Sequence, residues 1–306
     1  MCGISGLLIR DPDLEVELGR MLVPMISALA DRGPDSSGIA LYSRPVMGEG
    51  SAGEETPSIL RVSLGSDEAV PWDDVTDWAS SRFSESAIEV FRSGIRIDLV
   101  EARADALVSS VREAWPGVHV LGTGRMLTVV KDIGWPADSC RRHVVDSWTG
   151  HMAVAHTRMA TESAVTALHS HPFVPGPDLS VVHNGSFSNH ASVRRRLEAE
   201  GVRFDSDNDS EVAARLLARR LQAGDDLDEA TRWVMKEMDG FFTLVVGTET
   251  GMSVVRDAFA CKPAVVAETD AYVAVASEYR ALAGLPDVGR ARVFEPQPEE
   301  VYTWTC

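Results

Sequence analysis

Apolar runs of strand length follow one another closely over the second half of this 306-residue chain. They are short, rich in valine and alanine, and separated by turn-forming residues, a pattern typical of antiparallel strands. The runs lie at 152–156, 179–183, 241–246, 252–255, 263–266 and 272–276. Helical periodicity appears between them near 209–222 and 227–238. Hairpin-like strands with few helices predict an α+β fold in layers rather than a doubly wound sheet.

The first half of the chain contains a second, separate unit. A Gly/Pro/acid-rich segment at 44–57 predicts a linker, and the residues after it, 58–133, predict an inserted small α/β lobe. The domain is therefore expected to span 2–306, with its core at about 2–45 and 145–306. The elements of this half are predicted at 3–9, 39–43 and 59–64 (strands), 15–31 and 100–114 (helices), and 118–122 with 126–130 (a hairpin).

The charge balance of the chain limits its partners. Lys and Arg number 29 against 46 Asp and Glu, a formal net charge of −17. Such a field repels phosphate backbones and anionic lipids, so nucleic-acid and membrane-surface roles are not expected. No apolar run reaches the roughly 18 residues of a membrane span, and the N-terminus lacks the pattern of a signal peptide. These features predict a cytoplasmic protein.

The position of one cysteine is the sharpest chemical feature. Cys2 follows the initiator methionine, and the other three cysteines are too far apart in sequence to predict a metal site or disulfides. If Met1 is removed, Cys2 carries a thiol and a free α-amine, which titrates near pH 8. That amine can act as general base for its own side chain. Any residue can follow Met1, but Gly3 and Gly6 favour a reactive Cys2 because glycine permits close backbone approach.

Three later motifs have both a structural and a chemical interpretation. Arg158 ends an apolar strand, where it is either a surface side chain or a partner for a substrate carboxylate. Asn184 and Gly185 form either a tight turn or a pair of donors for an oxyanion. The acidic segment 205–211 is an ordinary helix N-cap and first turn, or a source of ligand-binding carboxylates; it lacks the glycine and distal glutamate of a calcium loop.

Taken in order, the motifs of this chain resemble those of class II glutamine amidotransferases. The resemblance covers about 1–43 and 150–280. Its motifs are Cys2-Gly3-Ile4, the segments 32–38 (RGPDSSG) and 156–161 (HTRMAT), His183-Asn184-Gly185 and 206–211 (SDNDSE), with later matches at 238–242, 256–263 and 276–278.

This resemblance implies a four-layer αββα N-terminal-nucleophile hydrolase fold and cleavage of glutamine to glutamate and ammonia. By the same resemblance, Cys2 attacks the amide, while Asn184 and the Gly185 N–H hold the oxyanion. Arg158 is implied to bind the α-carboxylate, with Thr161 lining that end, and Asp209 the α-ammonium. Arg32 and Gly33 are implied to shape the wall around the nucleophile. Family members often have Trp at the position of Met159, so the loop near the carboxylate is expected to differ.

The resemblance also implies a separate acceptor. The chain is most like the stand-alone amidotransferase subunit of N-methylglutamate synthase and of glutamate-synthase-like complexes, whose partner subunits carry FMN and iron–sulfur clusters. No cofactor is expected in this chain. The alternatives are a glutaminase subunit for an asparagine-synthetase-like or sugar-amidating partner, a non-catalytic glutamine-sensing subunit, and an N-terminal-nucleophile amidase acting on other amides.

Four histidines occur within 28 residues, at 156, 169, 171 and 183, and such a group can indicate a metal site. Two of them, His156 and His183, fall inside the family motifs at strand ends. Hydrogen-bonding roles in the structure are therefore expected, and no metal site is predicted.

Overall fold

The computed structural model describes residues 1–45, 58–160 and 165–306. The strands in these residues are β1 (Gly3–Ile9), β2 (Ser36–Tyr42), β3 (Ile59–Gly65), β4 (Ala87–Phe91), β5 (Gly94–Val100), β6 (His119–Gly124), β7 (Leu127–Ile133), β8 (Met152–Arg158), β9 (Phe173–Gly176), β10 (Leu179–Phe187), β11 (Gly240–Thr248), β12 (Gly251–Arg256), β13 (Val265–Glu268), β14 (Tyr272–Ala276), β15 (Arg292–Phe294) and β16 (Val301–Thr305). The α-helices are α1 (Leu18–Ala28), α2 (Trp72–Arg82), α3 (Ala104–Ala114), α4 (Pro136–Arg142), α5 (His190–Ala199), α6 (Asp209–Gln222) and α7 (Leu227–Glu237).

Two antiparallel sheets form the centre of the protein. One has seven strands in the order β15-β13-β14-β1-β8-β2-β7, and the other has five in the order β16-β12-β11-β10-β9. In the larger sheet β8 lies between β1 and β2, so that His156 pairs with both Ile4 and Gly38. This register brings the N-terminus of the chain beside the end of β8, which is where Arg158 stands.

Alternation of apolar side chains along the strands produces the layers. Leu7 of β1 faces α1 and α4, whereas Leu8 faces the smaller sheet. In β10, Val182 faces the larger sheet and Val181 faces α5, α6 and α7. The order of layers is therefore helix, sheet, sheet, helix, and the predicted α+β class is confirmed. Each fully buried aliphatic side chain in these interfaces contributes about 1.5–3 kcal/mol.

The residues between β2 and β7 build a third sheet. Its strands run in the order β4-β5-β3-β6, and α2 and α3 cover one face around a core that includes Val62, Ile97 and Leu107. The buried guanidinium of Arg61 joins this unit, the lobe, to the rest of the protein. Its Nη1 donates to Ser43 Oγ at 2.7 Å and to the Met126 carbonyl at 2.6 Å.

The structure corrects the expected end of the lobe. The predicted hairpin over 118–130 is wrong, because β6 pairs with β3 whereas β7 pairs with β2 in the seven-stranded sheet. Helix α4, which follows β7, also belongs to the core, because its Cys140 is buried under α1. The lobe sheet therefore ends at Gly124 rather than near 133. Most of the predicted linker, 46–57, lies outside the described residues.

No helix in the described parts of the chain is long and apolar enough to cross a membrane.

Candidate active site

A cleft of about 570 Å³ gathers residues from the N-terminus, β8, β10 and α6. Four of the residues expected to take part in catalysis or substrate binding lie in its wall: Cys2, Arg158, Gly185 and Asp209. The remaining lining residues are His156, Met159, His171, His183, Ser186, His190, Asp207, Asn208 and Ser210. Segments as distant in sequence as residues 2 and 209 thus meet at one cleft.

The backbone of Cys2 is held by two side chains. Its carbonyl accepts from Arg32 Nε at 2.9 Å and from Asn184 Nδ2 at 3.1 Å. The thiol Sγ lies 3.8 Å from the Met159 carbonyl oxygen. In the full chain the α-amine belongs to Met1 and donates to the Met159 thioether at 3.1 Å. The nucleophile predicted from the sequence is therefore fixed through its own peptide group, with its thiol at the cleft.

Arg32 and Gly33 support this arrangement from the turn before β2. Arg32 Nη1 donates to Glu278 Oε1 at 2.7 Å, so the guanidinium bridges Glu278 and the Cys2 carbonyl. This contact is the main reason that the pKa of the Glu278 carboxyl is lowered. Gly33 packs against the backbone of β8, where a Cβ would collide with the Thr157 carbonyl. Arg32 therefore positions Cys2, whereas Gly33 permits close packing and does not line the cleft.

Gly185 lies on the edge of β10 that faces the cleft. Its φ of +147° favours glycine, and a Cβ there would collide with the Phe241 carbonyl oxygen. N–H groups of alternate residues along a strand point to the same edge. The N–H groups of His183 and Phe187, two residues to either side, bond to His171 Nδ1 and to Asp209 Oδ2. The Gly185 N–H accordingly points out from this edge, between those two bonds.

Arg158 and Asp209 supply opposite charges to the cleft wall. Arg158 is 5% exposed, and its burial lowers the pKa of the guanidinium while Cys2 and Asp35 oppose that shift. Asp209 is the first residue of α6, where Asn208 caps the helix. Its Oδ2 accepts the Phe187 N–H at 2.9 Å. Thr161, the remaining expected substrate-binding residue, lies outside the described residues.

Three buried histidines line the cleft and hydrogen-bond to protein groups, as the sequence interpretation expected. His156 stacks on His171 with ring centroids 4.2 Å apart, and His183 Nδ1 lies 2.7 Å from Ser210 Oγ. Desolvation lowers the pKa of His156 to about 3 and that of His183 to about 4, and it holds the pKa of His171 well below its usual value. All three rings are neutral at pH 7. Within the described residues no group of His, Cys, Asp and Glu side chains is arranged to hold a metal ion.

The neutral histidines predict a loss of stability in mild acid. Their pKa values in the folded protein lie below the value of about 6.5 expected in the unfolded chain. The unfolded state therefore binds more protons below pH 6.5, and the free energy of unfolding falls as the pH drops from 6.5 towards 4. Each histidine adds a slope of up to roughly 1.4 kcal/mol per pH unit. Urea unfolding at pH 7, 6 and 5 measures the slope, which should be shallower in His156→Gln; an unchanged slope would contradict the assignment.

Two residues that hold the N-terminal strand had no assigned role in the sequence. Ser277 exchanges hydrogen bonds with Ile4: its Oγ accepts the Ile4 N–H, and its N–H donates to the Ile4 carbonyl, both at 2.9 Å. Glu278 follows and binds Arg32. The motif Ala276-Ser277-Glu278 was visible in the sequence, but its contacts with the first strand are made across almost the whole chain.

Comparison with known proteins shows the family to which the chain belongs. A family model described as a glutamine amidotransferase domain matches residues 156–284. The glutamine amidotransferase-like protein GlxB of Rhizobium meliloti (strain 1021) is 44% identical, and the match covers 99% of this chain and 98% of that protein. The chain belongs to the class II glutamine amidotransferases. A putative glutamine amidotransferase of Methanothermobacter thermautotrophicus is 31% identical to this amidotransferase over 99% of each chain.

A solved structure shows the same fold. The glutamine phosphoribosylpyrophosphate amidotransferase of B. subtilis superposes with a TM-score of 0.60 at 18% identity, covering 99% of this amidotransferase and 49% of that chain. The present chain thus spans about half the length of that enzyme. The likeness is one of fold, since the two chains share the same arrangement of helices and sheets.

Proposed function

We propose that this amidotransferase hydrolyses L-glutamine to glutamate and ammonia through a thioester on Cys2. The observation that carries the proposal is the meeting of the Cys2 thiol, the edge of β10 at Gly185, a buried arginine and a carboxylate in one cleft. The two charges match those of a free α-amino acid. Arg158 binds the α-carboxylate and Asp209 the α-ammonium, so the side-chain amide extends towards Cys2.

The chemistry requires removal of Met1, which makes the α-amine that of Cys2. This amine takes the thiol proton, and the thiolate attacks the amide carbon. The oxyanion is held by the Gly185 N–H and by Asn184 Nδ2, whose second hydrogen is not needed for its bond to the Cys2 carbonyl. The protonated α-amine of Cys2 then donates its proton to the leaving nitrogen of the substrate amide, and ammonia departs as the thioester forms. Water, deprotonated by the same amine, cleaves the thioester and releases glutamate.

Substrate analogues test this assignment without altering the protein. Glutamine should give one glutamate and one ammonia per turnover, measured by enzymatic glutamate assay and ammonia release. An analogue without the α-ammonium, and one without the α-carboxylate, should each lose about 2–5 kcal/mol of binding because one charged contact between substrate and cleft wall is lost. Equal kcat/KM for glutamine and both analogues would instead indicate an amidase that acts on other amides.

We further infer that the ammonia passes to a synthase partner of the N-methylglutamate synthase or glutamate-synthase-like type, and that the lobe docks this partner. The lobe offers an open edge at β4, which pairs only with β5 among the described strands. Val90 on this strand is 51% exposed. An unpaired edge with an exposed apolar residue suits addition of a strand from another chain.

Removing the lobe tests its role. The last paired residues of β2 and β7 are Tyr42 and Leu127, and the Ser43 N–H donates to the Met126 carbonyl at 3.0 Å. Replacing 44–125 by Asn-Gly should therefore close a two-residue hairpin and keep glutamine hydrolysis, while co-purification with the synthase is lost.

Val90→Lys is a second test by point substitution, since it keeps the lobe and places a charge on the open edge. It should also weaken co-purification while glutaminase activity and Tm stay unchanged. A lobe-free variant that still assembles, and still couples hydrolysis to product formation, would rule out docking through the lobe.

A further inference from the structure

Two imidazole rings hydrogen-bond to the edge of β10 just before Asn184, where no described strand pairs with it. Pairing of β9 with β10 ends at Val181, and no other described strand pairs with this edge. At the next position facing the edge, the His183 N–H donates to His171 Nδ1 at 3.0 Å. The His183 carbonyl lies 3.1 Å from His156 Nε2. These are the two hydrogen bonds that a neighbouring strand would otherwise make.

The backbone determines the tautomer of both rings. An N–H can only donate, so His171 Nδ1 must present a lone pair and its proton must reside on Nε2. A carbonyl can only accept, so His156 Nε2 must carry the proton. The two rings stack at 4.2 Å with 16° between their planes, which fixes their orientation. Burial keeps the pKa of both rings low, in agreement with these neutral forms.

The same edge continues into the candidate oxyanion site. Gly185 is two residues beyond His183, and Phe187, two residues further, donates its N–H to Asp209. The Gly185 N–H therefore lies between two anchored positions, His183 on one side and Phe187 on the other. A shift of the His183 peptide would turn the Gly185 N–H away from the reacting carbonyl, and a misplacement of about 1 Å can cost on the order of 100-fold in rate.

We propose that His171 and His156 are positioning residues that replace the missing strand beside β10 and so aim Asn184 and the Gly185 N–H at the oxyanion. The inference rests on the proposed function, because it assigns the direction of a catalytic donor. It concerns kcat rather than KM, since the charges of glutamine are bound by Arg158 and Asp209 from other elements.

Two substitutions at His171 separate positioning from mere filling of space. His171→Leu removes the acceptor, and His171→Asn keeps one, because its Oδ1 can take the place of Nδ1. We expect His171→Leu to lower kcat for glutamine by roughly 10- to 100-fold with KM changed less than about threefold, and His171→Asn to recover most of the loss. A normal kcat in the Leu variant, no rescue by Asn, or an effect confined to KM would overturn the proposal.

Hydrogen exchange of the His183 amide provides a readout that does not depend on activity. In the wild-type chain this N–H should exchange slowly, and in His171→Leu it should exchange at least about 10-fold faster, as expected when its acceptor is lost. If His171→Leu does not fold, kcat and KM for glutamine are compared between two variants at position 156. His156→Leu cannot donate a hydrogen bond to the His183 carbonyl, whereas His156→Gln can. Unchanged exchange in a folded His171→Leu variant would refute the positioning role even if glutamine proved not to be the substrate.

Discussion

Replacing Cys2 by alanine should abolish glutamine hydrolysis, with a loss of at least about 10⁴-fold in kcat, because the thiol forms the covalent intermediate. The intact mass of the active protein should lack Met1, since only then does the α-amine belong to the nucleophile. A glutamine-like electrophile should label one site, and peptide mapping should place the label on Cys2.

The other cysteines supply the controls. Burial raises the pKa of the Cys140 thiol to about 12, so it carries little thiolate at pH 8. Cys261 and Cys306 are both exposed and are the competitors that matter. Cys261→Ala and Cys306→Ala should each keep full activity and full labelling. Label on Cys261 together with an active Cys2→Ala variant would end the proposed mechanism.

Substitutions in the cleft wall should separate binding from chemistry. Arg158→Ala and Asp209→Asn should mainly raise KM for glutamine, because each leaves one substrate charge unpaired. The expected loss of binding free energy is about 2–5 kcal/mol for each substitution. Asparagine is the better choice at 209 because its Oδ1 can still accept the Phe187 N–H that Asp209 now accepts. Asn184→Ala should instead lower kcat by roughly 100- to 1,000-fold through loss of an oxyanion donor.

Steady-state kinetics with glutamine measures this split. Arg20→Ala is a suitable control for loss of a positive charge, since Arg20 pairs with Glu17 on an exposed helix surface; it should leave both parameters unchanged. Small and equal effects of all three cleft substitutions on kcat and KM would mean that glutamine binds elsewhere.

The sequence predicted best those elements whose signals are local. Helices α6 and α7 lie where periodicity placed them, and each begins at a side-chain cap, Asn208 and Asp226. Helix α1 is shorter than the predicted 15–31 at both ends, where residues 12–17 and 30–32 form 3₁₀ helices. Helices α2, α4 and α5 were missed because they are short or have few apolar positions.

Pairings between distant segments could not be predicted from local pattern. The glycines near 122–124 indicated a turn between adjacent strands, but β7 joins β2, which comes before the whole lobe. The candidate site shows the same limit. Residues inside motifs, such as Cys2 and Gly185, could be singled out from the sequence and lie in one cleft. The contacts of Glu278 with Arg32 and of His171 with the His183 backbone join segments that no local pattern connects.

The insertion of the lobe between β2 and β7 also has a consequence for the order of folding. Pairing Tyr42 with Leu127 requires closure of a long loop, and loop entropy makes such contacts slow to form. Within the lobe, however, Arg61 of β3 pairs with Gly124 of β6. If the lobe folds first, its own ends meet and the loop left to close shortens about fourfold, which lowers the entropic cost by about 1 kcal/mol. Early folding of the lobe would then bring β2 and β7 close together before the central sheet is complete.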